Sequence, residues 1–337
     1  MKIAIYGAGA LGTILGAYLA KAGIEIILIN RNKEQVDALN QNGAVVTGET
    51  ELKGKVRAIV PDEMDGIYDL IFLMTKQTEN ETVAEFLKDH MNGESILCTV
   101  QNGLPEFLLG RILGDRRVVG AAAVWGATLI APGIAALTSN PDRMSFQIGS
   151  LSPSAGGNLL KVKAVLEHMC PVYLEENFIG ARWSKLLINA AFSGLSTLFG
   201  VTFGEVAENK DMRAIAQRVI KETIDVAKGA NIRIMPVQGR DIARLFDYSG
   251  PVKKKISSLI IPIAMKNHRL IRSGMLGDIE RGRKTEVDAI NGIVCSFAEQ
   301  FHCTAPFNER IVESIHLIEE GKLSPSISNT ALFADLM

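Results

Sequence analysis

Four polar residues, Lys185, Asn189, Ser193 and Ser196, recur at i, i+4, i+8 and i+11 in an otherwise apolar stretch that begins near Phe178. That spacing puts them on one narrow stripe of a helix whose remaining faces are hydrophobic, so the helix is predicted to be buried with its stripe facing something polar. A lysine there is costly to keep charged unless an anion or acidic partner stands opposite, which suits it to proton donation at a tuned pKa. The alternative is a lysine at the helix start that buries its stem and extends its ammonium to water. Further on, Glu286 heads a second stripe with Ile290, Val294, Phe297 and Phe301. A carboxylate on a core-facing side needs compensation. Lys185 would supply it, or Arg283 or Arg310 in a purely structural ion pair.

A second constellation lies at the start of the chain. Ile3 to Tyr6 read as a strand, and Gly7-Ala8-Gly9-Ala10-Leu11-Gly12 follows as G-x-G-x-x-G at the head of a helix reaching about Ala22. Gly7 permits the tight turn, Gly9 lets backbone N–H groups approach a pyrophosphate, and Gly12 lets the helix pack closely on the strand. The second strand ends at Asn30, where a site for NAD carries Asp or Glu; this chain reads Asn30-Arg31-Asn32-Lys33. The Arg31 guanidinium fits a 2′-phosphate, with Asn30 and Lys33 adding donors, so NADP(H) is the expected cofactor; a solvated turn residue is the alternative for Arg31. Lys76, after Met74-Thr75, and Asn102, after Val100-Gln101, follow two further strand ends. Ligands in open α/β sheets bind beyond such ends, although a surface lysine and a turn asparagine are equally ordinary there.

The elements needed to position these residues are legible in outline. Ile3 to Tyr6, Ile26 to Ile29, Leu70 to Met74, Ile96 to Val100 and Val118 to Ala123 read as buried strands alternating with helices, which predicts a parallel sheet covered on both faces. Turn signals at Ala131-Pro132-Gly133 and Asn140-Pro141-Asp142 divide Gly126 to Gly149 into hairpins, expected to extend that sheet at its edge. A helix from Ser152 to Met169 and a short strand from Pro171 to Leu174 follow. After Glu175-Glu176-Asn177 nearly everything reads at helical period. The expected organisation is therefore a Rossmann-type α/β domain over 1–176 and an all-helical catalytic and substrate domain over 177–337, with a loosely held tail from Ser324.

Composition narrows the class. With 337 residues, 47% of them hydrophobic, the chain has material for about two packed cores. Its 36 basic and 37 acidic residues are intermixed, so no positive field exists to hold nucleic acid or an anionic membrane. Cys98, Cys170, Cys295 and Cys303 are scattered and the five histidines have no ligand spacing, as expected of a cytoplasmic protein without a structural metal. Met1 to Gly23 has the outline of a signal peptide, but its glycine spacing argues for the nucleotide turn. Leu186 to Phe203 is apolar over the length of a short membrane span, yet Asn189, Ser193, Ser196 and two glycines interrupt it. The apolar excess of the helical half makes a homodimer plausible.

Taken with Gln101-Asn102-Gly103, the run Arg182-Trp183-Ser184-Lys185-Leu186-Leu187-Ile188-Asn189, and Met275-Leu276-Gly277-Asp278 leading to Arg283-Lys284-Thr285-Glu286-Val287-Asp288-Ala289-Ile290-Asn291-Gly292, the chain resembles the ketopantoate (2-dehydropantoate 2-) reductases over nearly its whole length. The resemblance implies NADPH-dependent reduction of 2-dehydropantoate to pantoate, a step of pantothenate biosynthesis. Lys185 would be the general acid, and Glu286 would engage that lysine when substrate is absent. Asn189, Ser193 and Ser273 would line the substrate site, with Lys76 and Asn102 serving the nicotinamide side. This chain has Ser193 where the family usually repeats asparagine, and Gly274 where it usually has serine after Ser273. Both positions contact substrate in the family, so a reductase of another small 2-oxo acid is the alternative. A non-catalytic NADP-binding sensor is a further one, but it would have no use for an inward lysine and glutamate on separate helices.

Overall fold

The computed structural model describes residues 1–236 and 241–337. Its chain divides into two compact units, Met1–Gln101 with Pro105–Phe178, and Asn102–Leu104 with Ile179–Met337.

In the first unit the strands are β1 (Ile3–Tyr6), β2 (Ile26–Ile29), β3 (Ala44–Gly48), β4 (Leu52–Gly54), β5 (Arg57–Ile59), β6 (Leu70–Leu73), β7 (Ile96–Thr99), β8 (Val118–Ala123), β9 (Ala127–Ala131), β10 (Ile134–Leu137), β11 (Phe146–Gly149) and β12 (Val172–Leu174). The main sheet has the order β12-β11-β8-β7-β6-β1-β2-β5. All pairings from β5 to β8 are parallel, and β11 joins antiparallel to β8. The chain leaves β1 towards β2 and later returns to β6 on the other side, which makes β1 and β6 the switch point where such sheets bind ligands. Successive side chains of β1 point to opposite faces: Ile3 and Ile5 join the core containing Ile14, Leu15 and Val162, whereas Ala4 and Tyr6 join that containing Val83, Leu87 and Leu109. Helices α1 (Ala10–Lys21), α2 (Lys33–Asn42), α3 (Asn80–Lys88), α4 (Pro105–Leu113) and α5 (Gly156–Leu166) complete this unit.

The expectation that 126–149 only extends the main sheet is corrected. β9 and β10 form a separate sheet of order β4-β3-β10-β9, and only β11 joins the main one. The reason lies in α1, whose apolar residues need cover on the side away from β1 and β2. Gly54 on β4 comes so near α1 that an added Cβ would sit 2.7 Å from the Ala17 carbonyl oxygen. The Gln35 carboxamide then ties the β9–β10 turn to the glycine turn, accepting from Gly133 N–H at 2.8 Å and donating to the Ala8 carbonyl at 2.8 Å.

The second unit contains α6 (Phe178–Phe199, whose first residue belongs to the other unit), α7 (Phe203–Glu208), α8 (Lys210–Gly229), α9 (Ile242–Phe246), α10 (Pro251–Ala264), α11 (Gly274–Glu280), α12 (Ile293–Gln300) and α13 (Pro306–Glu319). As expected, α6 is a core helix: Trp183, Leu186, Leu187, Ala190, Ala191, Phe192 and Leu195 are all buried. The tail is not loosely held. Phe333 is fully buried and stacks on Phe307 at 5.7 Å, a burial that contributes about 2 kcal/mol, and Asn329 Nδ2 donates to the Leu198 carbonyl at 3.0 Å. The serine-rich composition of the tail concealed one aromatic anchor.

Candidate functional site

The glycine turn stands at the switch point of the main sheet. Gly7 has φ +106, and a Cβ there would lie 2.6 Å from the Met74 carbonyl carbon and the Thr75 nitrogen, so the end of β6 closes on it too tightly for any side chain. Gly12 is equally confined, 2.6 Å from the Gly7 carbonyl, whereas a Cβ on Gly9 would meet nothing within 4 Å. Ala8 is committed to the fold: its N–H donates to Ile29 O at 2.9 Å, and its carbonyl accepts from Asn30 Nδ2 at 2.9 Å as well as from Gln35. What the turn leaves for a ligand is the start of α1. The first-turn amides, those of Ala10, Leu11 and Gly12, have no carbonyl one turn earlier to bond, no side chain caps them, and no acidic residue occupies that turn. An anion fits there with backbone donors and the positive end of the helix dipole.

The end of β2 differs in detail from expectation. Asn30 is spent on the turn, donating to Ala8 and accepting from Asn32 N–H at 2.9 Å, and Lys33 pairs with Asp37 at 2.9 Å. Arg31 is well exposed and pairs with Glu79. Lys76 is half-buried just before the short 3-10 turn Gln77–Glu79. That turn is braced by Gln101, whose Nε2 donates to Asn80 Oδ1 at 2.7 Å and to Thr75 O at 2.8 Å, while Asn80 Nδ2 donates back at 3.0 Å. In sequence Gln101 is only a member of a motif; the fold makes it the clamp between the ends of β6 and β7. Asn102 is exposed and groups with the helical unit, in whose core the nearby Leu104 is buried.

In the helical unit, Lys185, Asn189 and Ser193 are each partly exposed on one side of α6. Burial lowers the Lys185 pKa to about 8, and the adjacent Arg182 guanidinium adds to the shift. Ser196, the fourth member of the stripe, is fully buried and structural: its hydroxyl donates to Val201 O and accepts from Ser273 N–H at 3.2 Å. Ser273 is buried as well, and its Oγ caps α11 by accepting from Met275 N–H at 3.1 Å. Gly274, beside it, is exposed, with nothing within 4 Å of an added Cβ.

Glu286 is half-buried and stands just before a π-turn, Asp288–Gly292, that runs into α12. Ile290, Val294 and Phe297 point inward as expected, while Phe301, just past the end of α12, is 37% exposed, and the wider turn also places Asn291 fully in the core. Asn291 Nδ2 donates to Ala190 O on α6 and to Asn308 Oδ1, each at 3.0 Å. Asn308 is held in turn by Glu222, which accepts from the N–H groups of Phe307 and Asn308 and from Asn308 Nδ2 at 2.9–3.1 Å, and so caps α13 from α8. Burial raises the Glu222 pKa to about 7 against those three bonds. Arg310, one of the alternative partners considered for Glu286, is engaged with Asp335 at 3.0 Å and with Leu332 O. Asn291, Asn308 and Glu222 are invisible to a sequence search for catalytic types because their work is backbone satisfaction.

Both halves of the chain are similar to known proteins. Residues 3–151 match the family described as ketopantoate reductase PanE/ApbA, and residues 177–319 match ketopantoate reductase PanE/ApbA C terminal. A 2-dehydropantoate 2-reductase of Pyrococcus horikoshii is 30% identical over 314 residues, covering 91% of this chain and 94% of that protein. Among solved structures, a D-mandelate dehydrogenase with NADH and anilino(oxo)acetate superposes with a TM-score of 0.81 at 21% identity, over 96% of this chain and 99% of that one. A PanE/ApbA family ketopantoate reductase from Ralstonia eutropha JMP134 does so with a TM-score of 0.80 at 24% identity, over the same shares. With both halves matched and a relative aligned along nearly its full length, the chain belongs to the ketopantoate reductase PanE/ApbA family of oxidoreductases acting on CH–OH groups.

Proposed function

We propose that the chain reduces 2-dehydropantoate to pantoate with NADPH. The observation that carries this reading is the half-buried Lys185, with its pKa lowered to about 8, on the same side of α6 as Asn189 and Ser193. At neutral pH such an ammonium is still protonated by about ten to one, yet its proton is far easier to give up than that of an ordinary lysine. When bound, the nicotinamide supplies the hydride that reaches the carbonyl carbon of the acid. Lys185 gives its proton to the carbonyl oxygen, which becomes the hydroxyl of the product, and the amine regains a proton from water. Asn189 and Ser193 orient the substrate, assisted by Asn102 and Ser273, and Glu286 holds the Lys185 ammonium between turnovers. Gly9 and the first amides of α1 take the pyrophosphate, Arg31 takes the 2′-phosphate, and Lys76 and Asn102 serve the nicotinamide side. The 2-dehydropantoate 2-reductase relative supports this substrate.

A specific observation favours a second reading. Ser193 is shorter than the family's usual asparagine and Gly274 offers no side chain, so one hydrogen-bonding arm of the usual substrate site is shortened and another is absent. A protein of the same fold is a D-mandelate dehydrogenase, and mandelate is a 2-hydroxy acid, the class that reduction of a 2-oxo acid gives. The alternative is therefore reduction of another small 2-oxo acid by the same chemistry. Incubation with NADPH and 2-dehydropantoate, followed by mass identification of the product, separates the two: pantoate supports the first reading, and unchanged substrate beside turnover of another oxo acid supports the second.

A further inference from the structure

No acidic residue ends β2, yet the fold brings one there from the turn that follows β6. Glu79 closes the 3-10 turn after β6, and its Oε1 lies 2.5 Å from Arg31 Nη1. β2 and β6 flank β1 on either side, so the two charges meet across the carboxyl end of β1, next to the glycine turn. Tyr6, the last residue of β1, registers both: its phenol pKa is raised chiefly by burial, then by Glu79, and is opposed by Arg31. The position of Glu79 is fixed from behind, because Asn80 is locked into the reciprocal pair with Gln101.

The pair has little to do with folding. The Arg31 and Glu79 side chains are 76% and 45% exposed, and ion pairs so open to water add little stability. Its consequence lies in what it does to a ligand. A 2′-phosphate approaching Arg31 must displace the Glu79 carboxylate or remain beside it, and like charges at that range repel. Of the two donors that the sequence offered as helpers, Asn30 is held by the Ala8 carbonyl and Lys33 lies in an exposed pair with Asp37. An unphosphorylated ribose meets the opposite situation: Glu79 gives its hydroxyls an acceptor, the service that an acid at the end of β2 performs in NAD sites.

We propose that Glu79 is a specificity-determining residue for the cofactor, competing with the 2′-phosphate for Arg31 and accepting from an unphosphorylated ribose, so that the advantage of NADPH over NADH is narrow. The inference rests on the dinucleotide site proposed above and sharpens it, since Arg31 gives NADPH its advantage and Glu79 takes part of it back.

The test is fluorescence titration of the full chain with NADPH and NADH, without any oxo acid, for the unaltered protein and for Glu79→Gln, Arg31→Ala and the double variant. Glu79→Gln is expected to tighten NADPH about five- to tenfold and to leave NADH unchanged or a few-fold weaker, widening the ratio by about an order of magnitude. In the Arg31→Ala background, Glu79→Gln should no longer tighten NADPH appreciably, because the competition is for that guanidinium. An unchanged ratio in Glu79→Gln, with both cofactors bound, overturns the inference alone, as does a full Glu79→Gln effect in the absence of Arg31. Binding of neither cofactor by the unaltered protein overturns the site assignment and the inference with it.

Discussion

Asn291 Nδ2 donates to the Ala190 carbonyl at 3.0 Å, and this contact joins α6, which carries Lys185 and Asn189, to the π-turn that follows Glu286. Trp183 packs edge-on against Phe297 at 4.9 Å, so the two segments run past each other in opposite directions with a fixed register. Gly194 exists in that crossing because a Cβ there would lie 2.8 Å from Asn291 Oδ1. Asn291→Ala leaves the Asn308 amide oxygen and the Ala190 carbonyl short of a buried donor, and is expected to cost about 2–3 kcal/mol of stability. Chemical denaturation read by Trp fluorescence checks this. A loss below about 0.5 kcal/mol would show that the crossing does not depend on the amide.

Gly7 and Gly9 separate folding from ligand binding. Gly7→Ala drives a Cβ into the Met74–Thr75 backbone at a residue with positive φ, so the variant should be destabilised by several kcal/mol. Gly9→Ala meets nothing in the protein and should melt within about 0.5 kcal/mol of the parent, yet lose NADPH binding by an order of magnitude or more, because the methyl occupies the approach of the pyrophosphate. Thermal melting paired with NADPH titration distinguishes the two. Normal NADPH affinity in Gly9→Ala would remove the pyrophosphate from this turn.

As the proposed proton donor, Lys185 should set a pH limit on the reaction. Its folded pKa of about 8 in the ligand-free protein lies below the ordinary lysine value, so the protonated fraction falls as pH rises through 8 and the reduction, which needs the proton, should lose about tenfold in kcat/KM per further pH unit. Oxidation of the hydroxy acid needs the neutral amine and should gain over the same window. Lys185→Ala should lower kcat by about 10²–10⁴-fold, abolish this limb and leave NADPH affinity near normal. A flat profile between pH 7 and 9.5 in the unaltered protein would contradict a proton donor with that pKa.

The parts of the fold that sequence revealed are those governed by a strong local period. β1, β2 and β8 follow from short apolar runs, and α6 from its apolar length with a polar stripe. What escaped depends on partners distant in the chain. The β3–β4 hairpin and β5 are brief and half polar, and β3 acquires its meaning only by pairing with β10, some ninety residues later. The stripe after Glu286 faces inward as read at Ile290, Val294 and Phe297, but the π-turn also brings Asn291 inward, which a regular helical period did not reveal. At the cofactor end, Arg31 was legible from its place after β2, whereas Glu79 was not, since nothing in sequence says that the turn after β6 reaches it.

In the proposed substrate site, Ser193 and Gly274 are expected to decide which acid fits best. Gly274 has open space around an added Cβ and begins α11, so Gly274→Ser should fold normally; Ser193 is likewise only partly buried. Restoring an amide and a hydroxyl by Ser193→Asn with Gly274→Ser should raise kcat/KM for 2-dehydropantoate by about ten- to a hundredfold if these positions have shifted the preference, the worth of one or two hydrogen bonds to a charged or hydroxylated substrate. Steady-state kinetics on the double variant reads this directly. A drop in kcat/KM for 2-dehydropantoate would show that the serine and glycine are themselves the better fit.

The most direct measurement is NADPH oxidation by the unaltered protein across a panel of 2-oxo acids that includes 2-dehydropantoate, run beside Lys185→Ala. Turnover of 2-dehydropantoate above the rest of the panel is expected, with a collapse by at least about a hundredfold in the variant. Turnover of no 2-oxo acid, or equal turnover by the Lys185→Ala protein, would contradict it.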